Sequence, residues 1–217
     1  MRGVARMVKA VFSFFLFFTF SATFLSAYEP PIIIDSAKLE KDVFVNLHPE
    51  CPSEIKNRQE IVDVQYFGLD GGLHRGQIVI DERLADDIRE VFKTALESGF
   101  PFESVIPISD PRFLKDGRWD DDLSMAANNT SAFNFRVKTG GGNLSNHAYG
   151  YAIDINPALN PYIKGNLTLP PGAMYDPNQP GTLTEDHPVT QKFLELGWEW
   201  GGHWQSLKDY QHFEKIP

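Results

Sequence analysis

Cysteine is nearly absent. Cys51 is the single one in 217 residues, so no disulfide can form within the chain. Stability must then come from a hydrophobic core, which 42% apolar residues over this length can supply, or from a bound metal. Basic residues are also short, 20 against 29 acids, for a net charge of −9. Three of those bases, Arg2, Arg6 and Lys9, precede the apolar run VFSFFLFFTFSATFL and the small residue Ala27. A basic head, a short apolar run and a small residue predict a secretory signal over residues 1–27, and hence a secreted or periplasmic protein. The alternative is an uncleaved anchor, for which Ala10 to Leu25 is slightly short. Loss of those three charges moves the net from −9 to −12, which argues against nucleic acid and against anionic membrane surfaces. Gly-x-Ser-x-Gly does not occur, and Cys51 has only His48 near it, so neither a serine nor a cysteine hydrolase is supported.

Residues 28–58 read as an N-terminal extension in which PPIII and DVFVNL form short strands or a wrapping arm, and residues 59–217 as one domain. IVDVQYFG and GQIVID alternate apolar and polar residues around DGG, which predicts a β-hairpin with His74 in its turn region. That histidine is either a polar loop residue or a contact near the mouth of a site. Leu84, Ile88, Val91, Phe92, Ala95 and Leu96 then recur at helical spacing, with Gly99 as the stop. FPFESVIPISD suggests a strand, and Asp120, Asp121 and Asp122 a solvated loop without the spacing of a calcium loop. AFNFRVK alternates as a strand with Arg136 on its polar face, followed by a flexible loop at Gly140 to Gly142. Asn156 to Gly181 is dense in Pro, Gly and Asn, a long loop of the kind that forms walls or lids. DHPVTQKFLELGW gives a second helix with His187 at its start, and WEWGGHW is either a core corner or the wall of a groove.

Two stretches carry chemistry. LSNHAYGYAIDIN places His147 seven residues before Asp154, and DYQHFE supplies Asp209 and His212. Two imidazoles and a carboxylate can hold zinc with one position open for water, and the spare acid can move protons. Strand alternation puts Asp154 opposite the core-facing Ile153 and Ile155, and Gly150 lets the backbone pass close to whatever the histidine binds. Asp209 and His212 must point the same way, which predicts a turn between them. Arg136 stays charged at any working pH and can offer paired donors to an oxyanion. His203 is not expected as a fourth ligand, because a catalytic zinc keeps a position open.

SNHAYGYAIDIN resembles the Ser-x-His-x-x-Gly-x-Ala-x-Asp motif of the zinc-dependent D-alanyl-D-alanine carboxypeptidases and L-alanyl-D-glutamate endopeptidases, the VanY-type and phage-endolysin group. WEWGGHWQSLKDYQHFE is similar to that group's second motif, and FNFR to its upstream arginine strand, so the likeness spans roughly Val62 to Phe213. It implies an α+β fold of the Hedgehog/DD-peptidase type, a small antiparallel sheet with packed helices; periodicity independently gives at least four short strands and two helices. It also implies zinc on His147, Asp154 and His212, with Asp209 as general base and Arg136 as oxyanion donor. Ser145, Tyr149 and Trp204 would bind the substrate, a peptidoglycan stem peptide, on a monomer not inserted in a membrane once the signal is cut. The alternative is a non-catalytic binding module on the same scaffold, which would have no need of Asp209 and Arg136.

Overall fold

The computed structural model describes residues 31–217, so the expected signal lies outside the described residues. The described part begins with a two-residue strand, β1 (Ile33–Ile34), and two single-turn helices, α1 (Glu40–Val43) and α2 (Ser53–Lys56). Next come two long strands, β2 (Gln59–Gly68) and β3 (Leu73–Asp81), antiparallel from Gln59 opposite Asp81 to Phe67 opposite Leu73. This is the expected hairpin. Its alternation drives Val62, Val64 and Tyr66 into the core and leaves Asp63, Gln65 and Phe67 outside. His74 is neither a loop residue nor near the site: it is buried within β3, held by Asp35 and Asp70.

The second expected element is α3 (Ala85–Ser98), entered through a 3₁₀ turn at Glu82–Leu84 and ended by Gly99 at φ 69°, a left-handed cap that suits glycine. Leu84, Ile88, Val91, Phe92 and Ala95 are buried against the hairpin. Each larger one contributes about 1.5–3 kcal/mol by leaving water. The helix carries the chain to β4 (Pro101–Phe102), which joins the far end of β2 in parallel, with Phe67 opposite Pro101. β1 joins β3 in parallel at the other edge, so the order is β1-β3-β2-β4. The main sheet is therefore mixed, and only its central hairpin has the antiparallel form expected.

The middle of the chain is built from fragments. The expected strand in FPFESVIPISD is split into β4 and β5 (Ser104–Val105), and β6 (Leu114–Lys115) pairs with β7 (Arg118–Trp119). The three acids form not a solvated loop but the start of a helix, α4 (Asp121–Ala126). The Asp120 carboxylate accepts a hydrogen bond from the Leu123 amide at 2.9 Å, and Asp121 and Asp122 sit where a helix N-terminus favours negative charge. After β8 (Asn129–Thr130), which pairs with β5, the segment AFNFRVK is extended but forms no strand. Its amides bond to scattered partners, Phe133 to the Val79 carbonyl and Asn134 to the His147 carbonyl, so no continuous ladder develops.

Two small sheets complete the fold. β9 (Ala152–Asp154) is followed by a hairpin, β10 (Tyr162–Lys164) and β11 (Leu167–Leu169), inside what the sequence presents as one long loop. That segment is stapled down by two buried asparagines. Asn156 donates to the carbonyls of Pro101 and Gly181 at 3.0 Å each, and Asn160 accepts from the Leu183 amide at 2.7 Å. Then come α5 (Pro188–Glu195), capped by the His187 ring, β12 (Glu199–Trp200), β13 (Lys208–Asp209) and β14 (His212–Glu214). The sheet orders are β12-β14-β9 and β11-β10-β13. Ile153, Ile155, Phe193, Trp198, Trp200 and Phe213 join the hairpin and α3 in one core, with the Phe193 and Phe213 rings stacked at 4.0 Å. Val43 and Ile55 of the extension pack with Val79 and Phe133 on the opposite side of β3. Among the described residues no helix is long and apolar enough to cross a membrane.

Candidate metal centre

Three elements bring the site together. β9 and β14 are antiparallel with His212 directly opposite Asp154, so a carboxylate and an imidazole share one face of a two-strand ladder. Between them the inward faces of Ile153 and Phe213 are wholly buried, which fixes the register. His147 arrives on a 3₁₀ turn, Asn146–Tyr149, whose start is capped by the Ser145 hydroxyl accepting from the His147 amide and whose end is Gly150 at φ 72°. Ser145 thus acts on His147 through its backbone, while also lining the cavity. Gly150 serves a purpose other than the one expected: a Cβ there would lie 2.1 Å from the Gln59 side chain, so the glycine admits β2 rather than a ligand.

His147, Asp154 and His212 are 3%, 7% and 7% exposed, and one donor atom from each can be chosen so that all lie within 4.8 Å of one another. His147 Nε2 is 3.1 Å from Asp154 Oδ2 and 3.2 Å from His212 Nδ1, and His212 Nδ1 is 3.0 Å from Asp154 Oδ1. The outward nitrogens are committed. His147 Nδ1 lies 2.7 Å from the Ala132 carbonyl, and His212 Nε2 lies 2.9 Å from Glu214 Oε2. A carbonyl can only accept, so His147 donates from Nδ1 and turns the lone pair of Nε2 inward; Glu214 fixes His212 in the same sense. Two imidazole lone pairs and a carboxylate then converge, an arrangement that calls for a positive charge at its centre. Burial alone would strip a proton from His212, but Asp154 and Glu214 outweigh it and push its pKa up to about 10. Burial likewise resists ionisation of Asp154, yet His147 and His212 hold it far below the usual carboxylate range. The chemistry of this donor set, N₂O with outer hydrogen bonds in place, fits zinc.

The walls of the cavity, about 250 Å³, hold most of the other expected residues. Asp209 lies across a two-residue turn from His212, as the spacing predicts, and its carboxylate accepts from the Gln211 amide at 3.2 Å. Burial pushes its pKa up to about 6 against the pull of His212. Arg136 reaches the same cavity from the extended segment; its Nη2 is paired with Asp121 at 2.9 Å and its Nε is buried without a partner. Trp204 lines the wall with its ring 5.5 Å from that of His212, whereas Trp198 and Trp200 belong to the core, so the tryptophan cluster serves both purposes. Tyr149 does not line the cavity: it stacks on Tyr151 and packs against the cluster around Val79 and Phe133. His203 pairs with Glu185 at the surface, away from the donors.

Several residues of the site are not evident from the motifs. Glu214 holds His212 and is itself held by Asn146, whose amide donates to Oε2 at 2.8 Å, so each histidine loop steadies the other. The signal was present in the HFE of β14, because residues two apart on a strand share a face. Gly201 matters for closeness: a Cβ there would meet the Asp209 backbone oxygen at 2.5 Å and its Cβ at 2.8 Å. Asp121, the partner of Arg136, carries no signal in sequence.

A family profile described as D-alanyl-D-alanine carboxypeptidase matches residues 139–215. The chain is also 41% identical over 76 residues to the peptidoglycan L-alanyl-D-glutamate endopeptidase CwlK of Bacillus subtilis (strain 168), covering 35% of this chain and 42% of that protein. The chain thus matches less than half the length of this curated relative, and no solved structure matches it. The profile's span contains His147, Asp154, Asp209 and His212 and begins after Arg136, which leaves the arginine segment outside. Over residues 139–215, with their paired histidine motifs, the chain is similar to the D-alanyl-D-alanine carboxypeptidase family.

Proposed function

We propose that the protein is a zinc-dependent peptidase, exported from the cytoplasm and acting as a monomer on the stem peptides of peptidoglycan. The observation that carries this is the convergence of His147 Nε2, His212 Nδ1 and Asp154, with both outward ring nitrogens already engaged. The family description and the relative's name both specify bonds that involve a D-residue, and that substrate class is carried over here.

His147, Asp154 and His212 would hold the ion. When bound, zinc would supply Lewis acidity and lower the pKa of water towards about 7. Asp209 has the properties of the proton carrier: its pKa of about 6 leaves it mostly ionised at neutral pH, able to accept a proton from attacking water. The same carboxyl, once protonated, can pass that proton to the departing amine. Arg136 lies on the cavity wall, so its guanidinium can donate to a carbonyl oxygen as charge develops there. Lys138 and Lys164, also on the wall, can meet the carboxylates of a stem peptide. Trp204 offers a flat apolar surface beside His212.

The test is metal analysis of the purified protein together with mass spectrometry of stem peptides incubated with it. One zinc per chain and release of a defined fragment are expected, with Asp209→Ala retaining the zinc and releasing nothing. Zinc without cleavage of any stem peptide would favour the binding-module alternative. Absence of bound metal after zinc loading would overturn the ligand assignment.

A further inference from the structure

The cavity around His147 has a larger neighbour. This second cavity, about 670 Å³, shares two wall residues with the first, Asp121 and Arg136. The ion pair between them, at 2.9 Å, is therefore the partition between the two chambers. Its size is that of a small-molecule site. One wall is the backbone turn at 46–50, in the N-terminal extension, and another is the 117–122 segment leading into α4. Both lie outside the residues matched to the family profile, 139–215.

Its surface is of two kinds. Leu47, Trp119 and Phe135 give an apolar floor. The aromatic rings are fixed in place: Trp119 Nε1 donates to the Val45 carbonyl at 2.8 Å and its ring meets Phe133 edge-on, while Phe135 packs against His48 at 5.9 Å. Above the floor stand carboxylates. Glu50, Asp120, Asp121 and Asp122 outnumber Arg118 and Arg136, and Asp122 is exposed. Asp120 is engaged by the Leu123 amide and Asp121 by Arg136 and the Asn134 amide, which leaves Glu50 and Asp122 as the acceptors beside the aromatic floor, a surface that suits a ligand with an apolar ring face and hydroxyl or amide N–H groups. The surplus of negative charge disfavours an anionic peptide.

We propose that this chamber is a saccharide subsite, which takes the N-acylated amino sugar bearing the stem peptide; the proposal rests on the peptidase function above. The stem peptide is joined to its sugar through the L-alanyl end. A sugar seated beyond Arg136 therefore places the first peptide bonds of the stem over His147 and His212. The D-alanyl-D-alanine bond lies three residues farther, roughly 10 Å at 3.3–3.6 Å per extended residue. The chamber thus selects the bond between L-alanine and D-glutamate and makes the enzyme an endopeptidase.

The zinc-loaded protein is given a free stem peptide and the same peptide carrying its disaccharide. The glycosylated substrate is expected to have a kcat/KM at least about tenfold higher, with cleavage after L-alanine. Trp119→Leu is expected to bring that ratio close to unity with zinc content and circular dichroism unchanged; should it not fold, Asp122→Asn is expected to lower the ratio instead. Equal rates on both substrates would overturn the subsite, and so would a gain from a lysine-bearing peptide extension in place of the sugar. Titration with the N-acetylated disaccharide alone, followed through the Trp119 indole N–H resonance, tests the chamber apart from catalysis. A saturable shift supports it even if neither peptide is cut, an outcome that would sink the peptidase function separately; no shift overturns it.

Discussion

His74 and His212 are both buried, and each lies between two carboxylates, yet their nitrogens are used differently. His74 has Asp35 at 2.7 Å from Nδ1 and Asp70 at 3.0 Å from Nε2, and Tyr66 donates to the same Asp35. Both carboxylates are served by donors, so the group is closed on itself and ties β1 to the hairpin. Around His212 a second imidazole, His147, has entered, and both outer nitrogens are spent on Glu214 and the Ala132 carbonyl. Lone pairs are left facing one another. The same residue types make a clasp in one place and a candidate cation site in the other, and the difference lies in what holds the outward nitrogen.

That contrast can be broken by exchange of roles. The largest effect is expected from His212→Ala, which removes a proposed ligand: zinc content should fall to background, and hydrolysis with it, whereas His74→Asn should keep its full zinc in the same metal analysis. Next is Asp209→Asn, for which a loss of about 10²–10⁴ in kcat is expected while zinc is retained, the range typical of a positioned proton carrier. Zinc lost together with activity would instead make Asp209 a part of the binding set. Glu214→Gln keeps the shape of the side chain and removes the charge that orients His212; zinc affinity measured by competition with a chelator should weaken by about 10–100-fold. An unchanged affinity would mean that His212 is oriented by packing alone.

The same contrast governs how much could be read from the chain. The hairpin and α3 announce themselves because long runs keep one period: Val62, Val64 and Tyr66 at two, Ile88, Val91 and Phe92 at helical spacing. The ligand motifs are legible as well, since His147 and Asp154 lie on one short stretch and Asp209 and His212 on another. What stays hidden depends on contacts made at a distance. AFNFRVK alternates like a strand but finds its hydrogen-bond partners in two different elements, which periodicity cannot convey. Asp120 to Asp122 look solvated until Asp120 is seen to cap a helix and Asp121 to hold Arg136. The stapling of residues 156–181 rests on two asparagines whose partners are carbonyls and amides 21 to 55 residues away. Tyr149 sits inside the ligand motif and still points its ring to a separate cluster, because residues on a 3₁₀ turn face different ways.

The smallest expected effect, and the finest test of the clasp, is in the pH dependence of stability. Burial works against a charge on His74, but hydrogen bonds to Asp35 and Asp70 prevail, and its pKa is raised above the ordinary value. A raised pKa in the folded state means that the proton is bound more tightly there than in the unfolded chain. The resulting stabilisation is fully present below the unfolded value of about 6.5 and is lost as pH rises through the higher folded value. Denaturant unfolding should therefore show wild type ahead of His74→Asn by about 1 kcal/mol at low pH, the usual worth of such a hydrogen bond. The gap should narrow as pH rises above the unfolded value of about 6.5 and the imidazole gives up its proton. A gap that stays constant over that range would show that His74 holds β1 through neutral hydrogen bonds, and the clasp would then owe nothing to charge. A gap that closes would place its charge in the clasp itself, where the two carboxylates are satisfied by a proton rather than by a metal.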